Sequence, residues 1–231
     1  MKEIKNLKII GTSHISKESA DEVVKEIKEY ADIVALELDN NRFVGILRGE
    51  RPSFFQMIRQ IGIFGGTVAF VLHKIQKHMG KKVGVSPGKE FKDAIKTSLD
   101  YKKRISLIDQ PINITINRLK NVLTFKDIVK SIFTRTTKKY NIDLKSVPDE
   151  ETLERLLKET KERFPKVYKV MVEERNQYMA ERLLKLMRTK ENVLAVVGAG
   201  HEKGIYDIIS KSIHYQSNEN QINDEFSFIA S

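Results

Sequence analysis

NVLAVVGAGHEKG, residues 192–204, reads as a strand that runs straight into a turn and a histidine. Val193–Val197 is short, apolar and β-branched, the composition of a strand buried on both faces of a parallel sheet. It breaks at Gly198-Ala199-Gly200, and His201 follows at once. Near the start of the chain, Leu7-Lys8-Ile9-Ile10 runs into Gly11-Thr12-Ser13-His14 in the same manner. A strand–Gly-x-x-His unit therefore stands at each end of the sequence. In parallel sheets, ligands bind beyond the carboxyl ends of the strands, where glycine lets the backbone turn closely. The repeated pattern predicts that His14 and His201 open into one cleft, as metal ligands or as acid–base groups. The plainer role of a histidine after a strand is a cap or a hydrogen bond. His73, His78 and His214 lack the flanking pattern and read as surface residues.

The chain has 231 residues, 40% apolar and 31% charged, which fits one globular domain with a substantial core. It has no cysteine, which excludes disulfides, thiolate metal sites and a thiol nucleophile, and agrees with a cytoplasmic protein. MKEIKNLKII is not a signal peptide, because no apolar segment follows its charges. A net charge of +10 and a pI near 9.5 would suit nucleic acid or an anionic membrane surface. The basic residues are interleaved with acids, as in Asp21-Glu22-Val23-Val24-Lys25-Glu26, and no nucleic-acid motif accompanies the short clusters at Lys77–Lys82 and Lys102–Arg104. A solvated, lysine-rich surface accounts for the charge, and no nucleic-acid partner is expected.

Going outward from the two ends, Lys17–Tyr30 is an amphipathic helix capped by Ser16, and Asp32–Leu38 is a second buried strand. Strand, helix and strand in this length form a βαβ unit with a parallel pair and a right-handed crossover. Glu37 lies near the carboxyl end of that apolar strand, where a charge is costly unless it is paired or ligating. It is a candidate site residue, with an edge position or a buried ion pair as the alternative. Asp39-Asn40-Asn41-Arg42 reads as a polar loop at the cleft rim. Ile61–Leu72 is too short and too glycine-broken to span a membrane. Lys89–Leu99 is a helix whose Glu90 either complements the helix dipole or serves as a site carboxylate. Arg104–Asp109 is a further strand with Asp109 at its end, and Pro111 opens a helix. From there to Lys190 the reading is helical, with Glu150–Phe164 followed by one long helix from Pro165 to Met187 that carries Glu174-Arg175-Asn176. Arg175 would bind a substrate carboxylate or pair on the surface. A helix over Glu202–Ser212 and a loose polar stretch, Ser217–Asp224, close the chain.

The spacing Gly198-x-Gly200-x-x-x-Gly204 also looks like a dinucleotide-binding turn, but that reading needs a further strand ending in an acid about 20 residues on. Little chain follows, so nucleotide binding is set aside. With these residues in view, the sequence resembles the TraB/PrgY family, relatives of GumN and of the Tiki metalloproteases. Gly11-Thr12-Ser13-His14 and Gly198-Ala199-Gly200-His201 resemble its two Gly-x-x-His motifs, and Glu37 in VALELD resembles its glutamate. Pro87-Gly88-Lys89-Glu90-Phe91, Leu107-Ile108-Asp109-Gln110-Pro111 and Glu174-Arg175-Asn176 resemble its later blocks, with Gln110 where many relatives have Arg. The resemblance implies the erythromycin-esterase/ChaN-like fold and a metal-dependent peptidase, with manganese or cobalt in the Tiki branch. Longer members carry a hydrophobic C-terminal membrane region, so this chain is expected to be either a short form or a truncated one, membrane-associated only in a longer form.

The expectation is one α/β domain over residues 1–231, a mostly parallel sheet of βαβ units with a helical insertion or lid at 111–190. The expected activity is divalent-metal-dependent hydrolysis of a peptide or protein, with Mn²⁺ or Co²⁺ ahead of Zn²⁺. His14, Glu37 and His201 would be the metal ligands, and Glu37, Glu90, Asp109, Arg175 and Asn176 the catalytic set. A peptide-pheromone-binding protein with the same cleft but no turnover is the alternative, and a basic surface protein that docks to membrane or nucleic acid is a third. Homo-oligomerisation is also expected.

Overall fold

The computed structural model describes residues 1–12, 17–49, 89–122 and 150–229. A five-stranded sheet is built from β1 (Lys2–Ile4), β2 (Leu7–Thr12), β3 (Ile33–Leu36), β4 (Arg104–Leu107) and β5 (Val193–Gly198), in the order β1-β2-β5-β3-β4. Only β1 is antiparallel; β2, β5, β3 and β4 run parallel, so their carboxyl ends share one edge. The last strand in sequence occupies the centre. It pairs Gly11 with Val197 and Thr12 with Gly198, which sets the two strand–glycine units side by side.

Helices α1 (Lys17–Glu29), α2 (Asn40–Arg48), α3 (Lys89–Asp100), α4 (Ile112–Val122), α5 (Glu150–Arg163), α6 (Pro165–Tyr168), α7 (Glu174–Met187) and α8 (Ala199–Ile229) complete the described fold. The alternation of strand side chains divides the core. Ile10, Val34, Leu36, Leu194 and Val196 face α1 and α3, packing on Val23, Ile27, Phe91, Ala94 and Ile95. Leu7, Ile9, Ile33, Ala35, Val193, Ala195 and Val197 face α7 and α8, packing on Met179, Leu183, Ile205 and Ile209. Asn6 Nδ2 donates to Met187 O at 3.1 Å, which fixes the end of α7 at the amino edge of the sheet. The helix therefore runs back along the face and delivers its first residues to the carboxyl edge. Among the described residues no strand separates β4 from β5, and no helix is long and apolar enough to cross a membrane.

The sheet agrees with the sequence reading, and four local details differ from it. Asp39–Arg42 is a helix start: Asp39 Oδ1 accepts from Asn41 N (2.8 Å) and Arg42 N (3.0 Å), and α2 ends at Gly49 with φ +66°. The helix expected over Pro165–Met187 contains a π-helical turn, Lys169–Glu173, in which Glu174 N donates to Lys169 O. α8 begins at Ala199, so His201 stands in a helical first turn instead of a loop. That helix also continues through Ser217–Asp224, expected to be loose. Ile61–Leu72, Ser16, His73 and His78 lie outside the described residues. His214 is exposed.

Candidate functional site

Glu37 is the first residue after β3, and alternation through Ile33 and Ala35 carries its side chain to the α7–α8 face. Two apolar helix stripes arrive there with polar heads. Along α7 the buried positions are Asn176, Met179, Ala180, Leu183 and Met187; along α8 they are His201, Ile205 and Ile209. Each series is helical in period, and each becomes polar at the carboxyl edge of the sheet.

These ends bond to one another around Arg175. Its Nε donates to Asp109 Oδ1 (3.0 Å) and its Nη2 to Asp109 Oδ2 (2.8 Å) and Glu37 Oε1. Its Nη1 reaches Met171 O (3.4 Å) in the π turn and His201 Nε2 (3.1 Å). Every N–H of the guanidinium is thereby spent inside the protein. Glu37 Oε2 accepts from Gly198 N at 2.6 Å, so both carboxylate oxygens are held. Asp109 also accepts from Gln110 N (2.8 Å) and from Arg42 Nη1 (3.1 Å), and Gln110 Nε2 donates to Thr115 Oγ1 (2.9 Å).

His201 lies between Arg175 and Asn176, with Nδ1 2.6 Å from Asn176 Oδ1. Arginine only donates, so Nε2 must accept from it; the ring proton is then on Nδ1 and goes to Asn176. Burial drives the His201 pKa down, and Arg175 adds to this against the pull of Glu37. Burial alone would raise the Glu37 pKa, yet the charges of His201 and Arg175 and the Gly198 amide hold it below the ordinary carboxylate range. With His201 neutral, Arg175 is the cation that does so. Burial also works against the charge on Arg175, and Glu37 and Asp109 outweigh it, so the guanidinium stays charged.

The structure thus gathers Glu37, Asp109, Arg175, Asn176 and His201. Glu90 is buried in the first turn of α3, next to Phe91, whose ring lies 6.0 Å from the Arg42 guanidinium. His14 lies outside the described residues. Arg42 and Asp39 were legible only as a rim. The signal for more was Asp-x-x-Arg ahead of the apolar Phe43, Val44 and Ile46, a helix N-terminus that points its first turn at the strand end. Gly11 has a packing reason: a Cβ there would lie 2.6 Å from Glu202 Oε2 and 3.0 Å from Ala199 Cα, where α8 closes on β2.

A divalent ion needs converging, available donors. Glu37 Oε1 and His201 Nε2 approach to 3.5 Å, a separation that suits a shared cation. The cation between them is the Arg175 guanidinium, and Asp109 is held by Arg175 and Arg42. Among the described residues no set of three His, Asp or Glu side chains fits a metal. The described residues therefore form an arginine-centred site and do not by themselves form a metal centre.

Fold and site together define an α/β protein with a buried ionic site at the carboxyl edge of a parallel sheet. The sequence profile of the TraB/PrgY/gumN family matches residues 2–212, and the chain belongs to that family. It is 35% identical over 213 residues to an uncharacterised protein of Methanocaldococcus jannaschii, covering 88% of this chain and 53% of that one. It is 28% identical over 240 residues to a human TraB domain-containing protein, covering 90% and 64%. The bovine protein of that name is 29% identical over 228 residues, covering 85% and 60%. The chain thus spans roughly half to two thirds of the length of these relatives.

Proposed function

We propose that the chain is a hydrolase of peptide bonds in which His201 activates water and Arg175 receives the developing negative charge. The observation that carries this reading is the posture of His201: buried, with Nδ1 2.6 Å from Asn176 Oδ1 and Nε2 turned toward Arg175 and Glu37, and with burial pushing its pKa down. A general base needs an unprotonated nitrogen of fixed direction, and a cation held by two carboxylates is preorganised for an oxyanion. In the proposed step the substrate carbonyl oxygen takes over Nη1 donors now spent on His201 and Met171. Nε2, so released, accepts a proton from water as the water oxygen attacks the carbonyl carbon. The C–N bond then breaks, and the proton passes from Nε2 to the departing amine. Glu37 and Asp109 keep the guanidinium in place throughout.

A metal-dependent form of the same hydrolysis is favoured by the 3.5 Å approach of Glu37 Oε1 to His201 Nε2. It takes His14 as a third ligand, Mn²⁺ or Co²⁺ ahead of Zn²⁺, and requires Arg175 to leave the position between the donors. Cleavage of defined fluorogenic peptides, measured with chelator and with each added ion, separates the forms. Arginine-centred hydrolysis predicts turnover in chelator, lost in His201→Gln while peptide binding persists. Turnover only with added ion moves the reading to the metal-dependent form. Binding without turnover under every condition overturns both and leaves the peptide-binding reading.

A further inference from the structure

We infer that Gly204 is a positioning residue of this site, acting through Asn176 on the tautomer of His201. Gly204 stands inside α8, three residues after His201, where glycine is a poorer helix former than alanine. Its backbone does not require glycine: among the described glycines only Gly49 has positive φ. The reason is space. A Cβ on Gly204 would overlap Asn176 Nδ2 and lie 3.1 Å from its Cγ, both atoms of a side chain that is itself buried. Gly200, one turn earlier, differs: a Cβ there would meet Leu157 Cδ2 at 3.7 Å, an ordinary contact.

The bare Cα of Gly204 is therefore the floor on which the Asn176 amide rests. From there Oδ1 reaches His201 Nδ1 at 2.6 Å. A methyl group at 204 pushes the amide away and leaves a buried ring N–H without its acceptor, which is costly. The ring can then hold its proton on Nε2 instead, toward Glu37 Oε1 at 3.5 Å, at the cost of the bond that Arg175 Nη1 donates. A methyl group added at 204, where there is no side chain, would thus be felt three residues away, through Asn176, as the wrong nitrogen carrying the proton. The same glycine that suggested a nucleotide-binding turn in the sequence is explained by the approach of α7 to α8.

This inference uses the site proposed above for its activity arm only; its spectroscopic arm stands without it. Long-range ¹H–¹⁵N spectra of the full chain report which imidazole nitrogen of His201 is protonated. The expected result is a protonated Nδ1 in the wild type and in Gly200→Ala, and loss of that signature in Gly204→Ala with retained helical circular dichroism. Peptide turnover, where present, is expected to fall about tenfold or more in Gly204→Ala, through kcat and not KM. In an Asn176→Ala background the further change Gly204→Ala is expected to be neutral or stabilising, because the clash is gone. An unchanged Nδ1–H signature in Gly204→Ala overturns the inference. So does a Gly204→Ala penalty of equal size with and without Asn176, including failure of both to fold. A shifted tautomer in a chain without turnover sustains the positioning role and removes the hydrolase reading.

Discussion

The two faces of the sheet use the same alternation and end differently. Toward α1 and α3 the strand series stays apolar to the edge, closing on Leu36, Leu38 and Phe91, with buried Glu90 beside Phe91 in the first turn of α3. Toward α7 and α8, three separate series turn polar at one level: Glu37 after Ala35, Asn176 above Met179, and His201 above Ile205. A single buried polar residue is a cost; three that converge become each other's partners. The active-looking face is thus a core whose last layer has been exchanged for an ionic one, and the other face shows what that layer would otherwise be.

The largest test of this contrast is Arg175→Ala, which strands Glu37 and Asp109 as buried charges. A loss of about 3–5 kcal/mol in urea unfolding is expected. A loss within error would mean that the carboxylates find another partner and that the layer is not arginine-centred. Ile27→Ala on the opposite face should cost about 2–5 kcal/mol through its cavity, with no dependence on pH between the carboxylate and histidine ranges. A pH-dependent cost there would erase the distinction between the faces.

Acid should act chiefly on the ionic face. The folded His201 pKa is lowered, so the folded state binds this proton less readily than the unfolded chain, and its stability is full above the ordinary value of 6.5. Stability should fall as pH drops below that value, with a slope approaching about 1.4 kcal/mol per pH unit. Glu37, also lowered, should add a second loss as pH falls below the ordinary 4.5 toward its folded value. His201→Gln should remove the first limb and keep the second in a series of unfolding midpoints; a first limb that survives would assign it to another group. The smallest effect is expected for Arg42→Ala. Its side chain is 43% exposed, so its bond to Asp109 should be worth about 0–1 kcal/mol. A larger loss would place Arg42 inside the ionic layer instead of at its rim.

Much of this was readable from sequence where one residue broke a pattern. Glu37 interrupts a strand otherwise buried on both sides, and His201 follows a glycine turn, so both could be singled out without coordinates. Asn176 stands beside Arg175 in the sequence, although its place at the head of the Met179–Leu183–Met187 stripe is the stronger signal. The bonds among these residues were not readable, because they depend on β5 lying between β2 and β3 and on the rotation of α7. The π turn at Lys169–Glu173 stands directly ahead of α7, and nothing in KVMVE separates a five-residue turn from an α-helical one. Likewise β1 is three residues at an edge, too short for alternation to show.

The central place of β5 has a consequence for how the chain is made. Asn6, at the head of β2, bonds to Glu191, 185 residues away, just before β5 begins. Until β5 leaves the ribosome, β2 and β3 have no common neighbour, and each presents an open hydrogen-bonding edge. Contacts so distant in sequence slow folding, because loop closure must precede any gain from pairing. Sheet closure therefore waits for β5, and until then the nascent chain passes through a stage in which its first two parallel strands are exposed to wrong partners.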